Sequence, residues 1–184
     1  IIGNMNAITY KEIFPLIKAN KMWLGVTMDG RNKWFQVPDD YPIRENVANS
    51  KIENGKKFLF VKGCLWFTNL DHGRRHQPLP LMTMEENRKF NKKVRNNPFC
   101  YQKYDNYDAI EVPYTDAIPS DYDGIMGVPI SFLHKYCPEQ FEIVGWSRHN
   151  EYNMDGGYWL GGKNDATING KEVYRRILIK HKQK

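Results

Sequence analysis

Eight basic side chains crowd one stretch of the sequence: Arg74, Arg75, His76, Arg88, Lys89, Lys92, Lys93 and Arg95. A loop and short helix carrying these charges could neutralise phosphates or send an arginine to guanine edges in a major groove. A charge run is more commonly a solvated face, and Glu85 and Glu86 dilute this one. At its start lies "DHGRRH", where His72 and His76 stand four residues apart beside Asp71. On a helix that spacing holds zinc when a third ligand arrives from elsewhere. Gly73, Pro78 and Pro80 argue against a helix, and no cysteine is near, so no metal site is expected. Asp121, Asp123 and Asp155 likewise form no calcium or magnesium loop pattern. Cys64, Cys100 and Cys137 are odd in number, far apart and without a C-x-x-C pair, which points to reduced, buried thiols.

The elements that must position these groups can be read from patterning. The chain has 184 residues, of which 41% are hydrophobic and 14% aromatic, enough for a sizeable core. No stretch approaches the roughly 18 apolar residues of a membrane span, so no membrane partner is expected. With 27 Lys+Arg against 21 Asp+Glu the net charge is +6, compatible with nucleic acid but modest.

"IIGNMNAITYKEIFPLIKANKMWLG" reads as strand, turn, helix, strand. Thr9 and Glu12 have the spacing of a capping box, while Pro15 predicts a kink or a late start. Met22 to Val26 forms a second buried strand, giving a βαβ unit with parallel strands. Ile1 then begins inside a strand of an α/β sheet that continues upstream, and its open edge should be frayed or covered by a second copy of the chain. Residues 28–56 read as an irregular insertion. In "KKFLFVKGCLWFTNL" the second half suits a central strand, with Gly63 at a turn or bulge before it. The domain boundary falls in the basic stretch. Beyond it strand-like and turn-like pieces alternate, "QFEIVGWS" is a strand, and Ile168-Asn169-Gly170-Lys171 is a hairpin leading into "EVYRRILIKHK".

The runs "IIGNMNAITYKEIFPLIKANKMWLG", "GCLWFTNLDHGRRHQPL" and "YDAIEVPYTDAIPSDYDGIMGVPISFLHKYCPEQFEIVG" resemble the C-terminal part of the EcoRI-type adenine-specific DNA methyltransferases of restriction-modification systems. The resemblance covers nearly the whole chain and is weakest in residues 28–56 and 147–165. It implies methyl transfer from S-adenosylmethionine to adenine N6 in double-stranded DNA, in the bacterial cytoplasm. It implies an α/β fold: the last strands of a Rossmann-like methyltransferase sheet in residues 1–72, two parallel strands plus a reversed one ending near Asn69. A mixed α+β target-recognition region follows in 73–184. The family's Gly-rich cofactor loop and Asn-Pro-Pro-Phe loop both precede the segment matching Ile1. Neither occurs here: the prolines fall as Leu-Pro-Leu, Val-Pro-Tyr and Val-Pro-Ile, and Gly156-Gly157 and Gly161-Gly162 lack a strand before and a helix after. No catalytic residue and no bound cofactor are therefore expected in this chain by itself. The resemblance makes Trp66 or Phe67 the aromatic platform for a flipped base, unless both are core residues on alternate faces of a strand. It also favours DNA contact by the basic run, with Arg74 and Arg75 ahead of the lysines. The competing class is a free-standing module that binds DNA or protein without catalysis.

Overall fold

The computed structural model describes residues 1–26, 33–43, 49–149 and 158–182. Its first sheet has three strands, with β6 (Cys64–Thr68) between β1 (Ile2–Asn4) and β2 (Trp23–Leu24). Both neighbours are antiparallel to β6, so β1 and β2 run the same way without touching. The two parallel strands and the reversed strand are present as expected, but they are not an adjacent βαβ pair: the returning chain inserts between them. β1 is not frayed at its start, since the Ile1 ammonium donates to the Phe67 carbonyl at 2.9 Å and the Phe67 N–H to the Ile1 carbonyl at 2.8 Å.

Between β1 and β2 the helix α1 (Phe14–Lys18) starts late, with Pro15 in its first turn. Pro15 has no N–H to give, so a helix begun at Thr9 would lose an internal hydrogen bond there. The expected Thr9–Glu12 capping box is accordingly not formed. A 3-10 turn over Met5–Thr9 takes its place, capped by Asn4, and the Thr9 hydroxyl donates back to the Asn6 carbonyl at 3.1 Å.

A second sheet, ordered β3–β5–β4, corrects the reading of residues 28–56 as irregular. β3 (Lys33–Val37) and β4 (Ser50–Glu53) both pair antiparallel with β5 (Lys56–Val61). The signal was local: Asn54 and Gly55, both at positive φ, form the two-residue hairpin turn that an Asn-Gly pair favours. The Trp34 and Phe60 rings, 5.0 Å apart, make the cross-strand contact. Gly63, at φ +66°, turns the chain out of this sheet into β6, as its position predicts.

After β6 come α2 (Met84–Phe90) and α3 (Lys92–Arg95). The remaining strands are β7 (Ala109–Glu111), β8 (Ile125–Val128), β9 (Phe141–Trp146), β10 (Thr167–Ile168), β11 (Lys171–Glu172) and β12 (Ile177–His181). β7, β8, β12 and β9 form a mixed sheet in that order, with only the β7–β8 pair parallel. β10 and β11 are the expected hairpin, with Asn169 and Gly170 both at positive φ. Ile177, Leu178 and Ile179 are fully buried, as in a strand covered on both faces. One apolar cluster joins Ile8, Phe14 and Phe67 of the first part to Met126, Phe141 and Ile177 of the second, so the core runs unbroken past His72. All three cysteines are free and buried, as expected.

A buried ion pair ties the mixed sheet together. Arg176 donates from Nε at 2.9 Å and from Nη2 at 2.7 Å to Glu111 Oε1, and the Tyr104 hydroxyl donates to the other carboxylate oxygen. Tyr104 reaches Glu111 across Gly127, where a methyl group would lie 2.1 Å from the Tyr104 oxygen. Gly127→Ala should therefore cost about 1–3 kcal/mol of stability as an overpacked site. In a Tyr104→Phe background the nearest atom is at 3.0 Å, and the same substitution should cost less. Urea denaturation of the double-mutant cycle measures the difference; strictly additive losses would refute the steric account.

Candidate nucleic-acid interface

Adjacent residues on a strand point to opposite faces. On β6 this separates the aromatic pair: Phe67 is 2% exposed and belongs to the core, whereas Trp66 is 41% exposed on the other face. Phe67 closes on β1 so tightly that a methyl group at Gly3 would meet its ring at 2.9 Å, so it has no free face for a base. Trp66 stands opposite Ile2, and its carbonyl accepts from the Gly25 N–H at 2.9 Å. Of the two expected platforms Trp66 is the exposed ring and Phe67 the buried one.

The basic turn that follows, a 3-10 turn over Gly73–His76, divides its cations in the same way. Arg75 is buried: its guanidinium carbon lies 3.5 Å from the centre of the Trp23 ring, and it donates to Asp71 at 2.8 Å and to Asn20 at 2.6 Å. Its guanidinium is thus stacked and hydrogen-bonded inside the protein, unlike that of its neighbour Arg74. Arg74 is exposed, with one nitrogen on the Val26 carbonyl at 3.0 Å. His72 bonds the Leu24 carbonyl at 3.0 Å, and His76 turns to acids instead, so the two histidines share no common centre. Through Leu24 and Val26 the turn is docked on the carboxyl end of β2.

The other expected cations lie further on. The capping box expected of no particular residue here is made by Thr83 and Glu86 at the start of α2, and Asn91 caps α3. Arg88, Lys89, Lys92, Lys93 and Arg95 are all exposed. Lys93 is already paired with Asp116 at 2.8 Å, and Arg88 lies over the Tyr101 ring at 5.6 Å. Two further basic residues escaped sequence reading. His134 and Lys135 end a 3-10 turn over Ile130–Lys135 and line a cleft of about 270 Å³ with Arg74, Gln77 and Leu79. They lie about 60 residues downstream of Arg74, and no periodicity links them to it. The largest cavity described, about 960 Å³, is elsewhere and mixes Asp123, Glu139 and Glu142 with Lys180 and Lys182.

The sequence pattern of the family described as "Adenine-specific methyltransferase EcoRI" matches residues 1–182. The chain belongs to that family. The type II methyltransferase M.EcoRI of Escherichia coli is 45% identical over 183 residues, covering 100% of this chain and 50% of the relative. The type II methyltransferases M.MgeORF184P of Mycoplasma genitalium and M.MpnI of Mycoplasma pneumoniae are 35% and 32% identical over 189 residues, each covering 100% of this chain and 56% of the relative. The chain thus spans about half the length of the curated relatives it matches. No solved structure matches it. Within this methyltransferase family member, no helix among the described residues is long and apolar enough to cross a membrane.

His76 makes the site's edge sensitive to pH. Its Nε2 lies 2.9 Å from Asp71 Oδ2 and its Nδ1 2.8 Å from Glu139 Oε1. A protonated ring donates to both. The hydrogen bond to Asp71, then that to Glu139, raises its pKa above 6.5. Asp71 is held below 3.8, chiefly by His76; at Glu139 burial works upward, but the Cys137 and His76 hydrogen bonds outweigh it and hold the carboxyl below 4.5. A raised histidine stabilises below its unfolded value and stops doing so as pH rises through the folded one; lowered carboxylates do so above theirs. The clamp should be complete from about pH 4.5 to 6.5 and fade above. The melting-temperature gap between the parent and His76→Gln should shrink from pH 6 to pH 8.5. A gap unchanged across that range would show that the ring contributes nothing as a cation.

Proposed function

We propose that this chain is the C-terminal part of a site-specific DNA adenine-N6 methyltransferase, supplying one wall of the base pocket and the surface that recognises double-stranded DNA. The observation that carries this is the half-exposed Trp66 ring on β6, the strand paired with β2, on whose carboxyl end the exposed Arg74 is held, in a member of this family. A flipped adenine needs an aromatic face, and base–aromatic stacking contributes about 1–3 kcal/mol. A duplex needs cations along its backbone, and Arg74 with the exposed residues of α2 and α3 supplies them. In this reading β1, β6 and β2 are the end of a larger Rossmann-like sheet, residues 1–72 complete the catalytic domain and 73–184 read the DNA.

The methyl donor is S-adenosylmethionine, and the residues here do not fit its site. Gly161 and Gly162 stand at positive φ in an open turn with no helix after them, and Gly156 and Gly157 lie outside the described residues. The isolated chain is therefore proposed to be inactive: bringing a methyl donor against N6 is a positioning task, and these residues have nothing with which to do it. What they can do is hold an extruded base and the strand that carries it.

Two variants of the full-length protein test the base-pocket role. Trp66→Ala should lower 2-aminopurine fluorescence at the target position and slow methyl transfer while the fold survives. Phe67→Ala should cost about 3–5 kcal/mol of stability from its cavity. If Trp66→Ala melts like Phe67→Ala and its folded fraction extrudes the base normally, the platform is refuted. Calorimetry on the isolated 184-residue chain should show salt-sensitive DNA binding and no binding of S-adenosylmethionine. Measurable cofactor binding would place the donor site on this chain and refute the division of labour.

A further inference from the structure

The cleft beside Arg74 has a composition that sets it apart. Arg74 and Gln77 come from the basic turn and His134 and Lys135 from the end of the Ile130–Lys135 turn. A second, much smaller cavity shares Arg74 and His134 with it and is walled also by His72, Arg75 and Tyr136. No Asp or Glu lines either one among the described residues. Among the described residues Arg74 has a backbone carbonyl as its hydrogen-bond partner, while the side chains of His134 and Lys135 make no hydrogen bond or ion pair. Lys93, Lys103 and Lys180, by contrast, are matched by Asp116, Asp108 and Glu142. Three unmatched basic groups from two elements, converging on one concave surface, are what an anion would need and what folding alone would avoid.

We propose that this cleft seats a phosphodiester of the DNA backbone, held by Arg74 and Lys135 with His134 as a third, proton-dependent donor. The inference rests on the reading of the chain as part of a DNA methyltransferase, and it adds a specific contact and a pH linkage to it. Phosphate supplies what the groups lack: oxygen acceptors for the guanidinium, ammonium and imidazole N–H groups, and a negative charge between them. In the free protein, burial and then the charge of Arg74 hold the His134 pKa below 6.5, so the ring is neutral at pH 7. The other groups facing it, Lys135, His72, Arg75 and Tyr136, offer no negative charge to reverse this. A bound phosphate does, and the ring then takes up a proton as DNA binds. Affinity should therefore rise as pH falls.

The test is fluorescence anisotropy of the full-length protein with a labelled duplex, as a salt series at pH 7.5 and at pH 6.0. The parent should bind about three- to tenfold tighter at pH 6.0, and His134→Gln should lose most of that gain. His76→Gln, outside the cleft, should keep it. Lys135→Ala, at an exposed position that folding does not use, should make the slope of log K against log salt less negative by up to about 0.9, the share of one neutralised phosphate. If the protein methylates DNA while both variants keep the parent's salt slope and pH response, the cleft proposal is overturned and the methyltransferase reading stands. A full-length protein that binds no duplex at any salt overturns both.

Discussion

The shape of the basic turn depends on one guanidinium that has left water. Arg75 lies over the Trp23 ring, with its two terminal nitrogens on Asp71 and Asn20 and its Nε buried without a partner among the described residues. Stacking on an aromatic face and charge-assisted hydrogen bonds offset part of the cost of burying such a group. Asn20 follows α1, Trp23 begins β2 and Asp71 follows β6, so one side chain fixes three separate pieces of chain relative to each other. With Arg75 turned inward, its neighbour Arg74 is forced outward over the end of β2. The exposed cation is where it is because the buried one is where it is.

The second half of the chain delivers its contribution by a comparable constraint. Pro129 ends β8, and the turn after it is pinned by Phe132, which is fully buried edge-on against Phe141 at 5.3 Å. His134 and Lys135 follow Phe132 and have no choice of side. Gln140 adds a cross-link by pairing both polar groups of Leu79 with its amide, at 2.8 and 3.0 Å. The surface on which DNA contact is proposed is thus assembled from both parts of the chain across a continuous core.

How much of this was legible depended on how local the determinant was. Asn169-Gly170, Pro15 and Gly63 act within a few residues, and the hairpin, the late helix start and the turn into β6 follow from them directly. Asn54-Gly55 is equally local, and the strands beside it were there to be read. Trp66 and Phe67 could be split only into an inner and an outer residue; which was which depended on the face α1 covers. Arg74 and Arg75 are the same residue type side by side. What distinguishes them is Trp23 and Asn20, about 50 residues earlier in the chain, and no pattern in the basic run carries that information.

The insertion of β6 between β1 and β2 has a consequence for the order in which the chain can assemble. β1 meets its partner strand about 60 residues away in sequence, and among the described residues β2 has no strand neighbour other than β6. The β3–β5–β4 sheet, by contrast, closes around a two-residue turn and is finished just before β6 begins. Loop-closure entropy favours the local hairpin first. The β3–β5–β4 sheet lies in the chain between β2 and β6, and once folded it shortens the effective loop over which β6 has to search for its slot between β1 and β2.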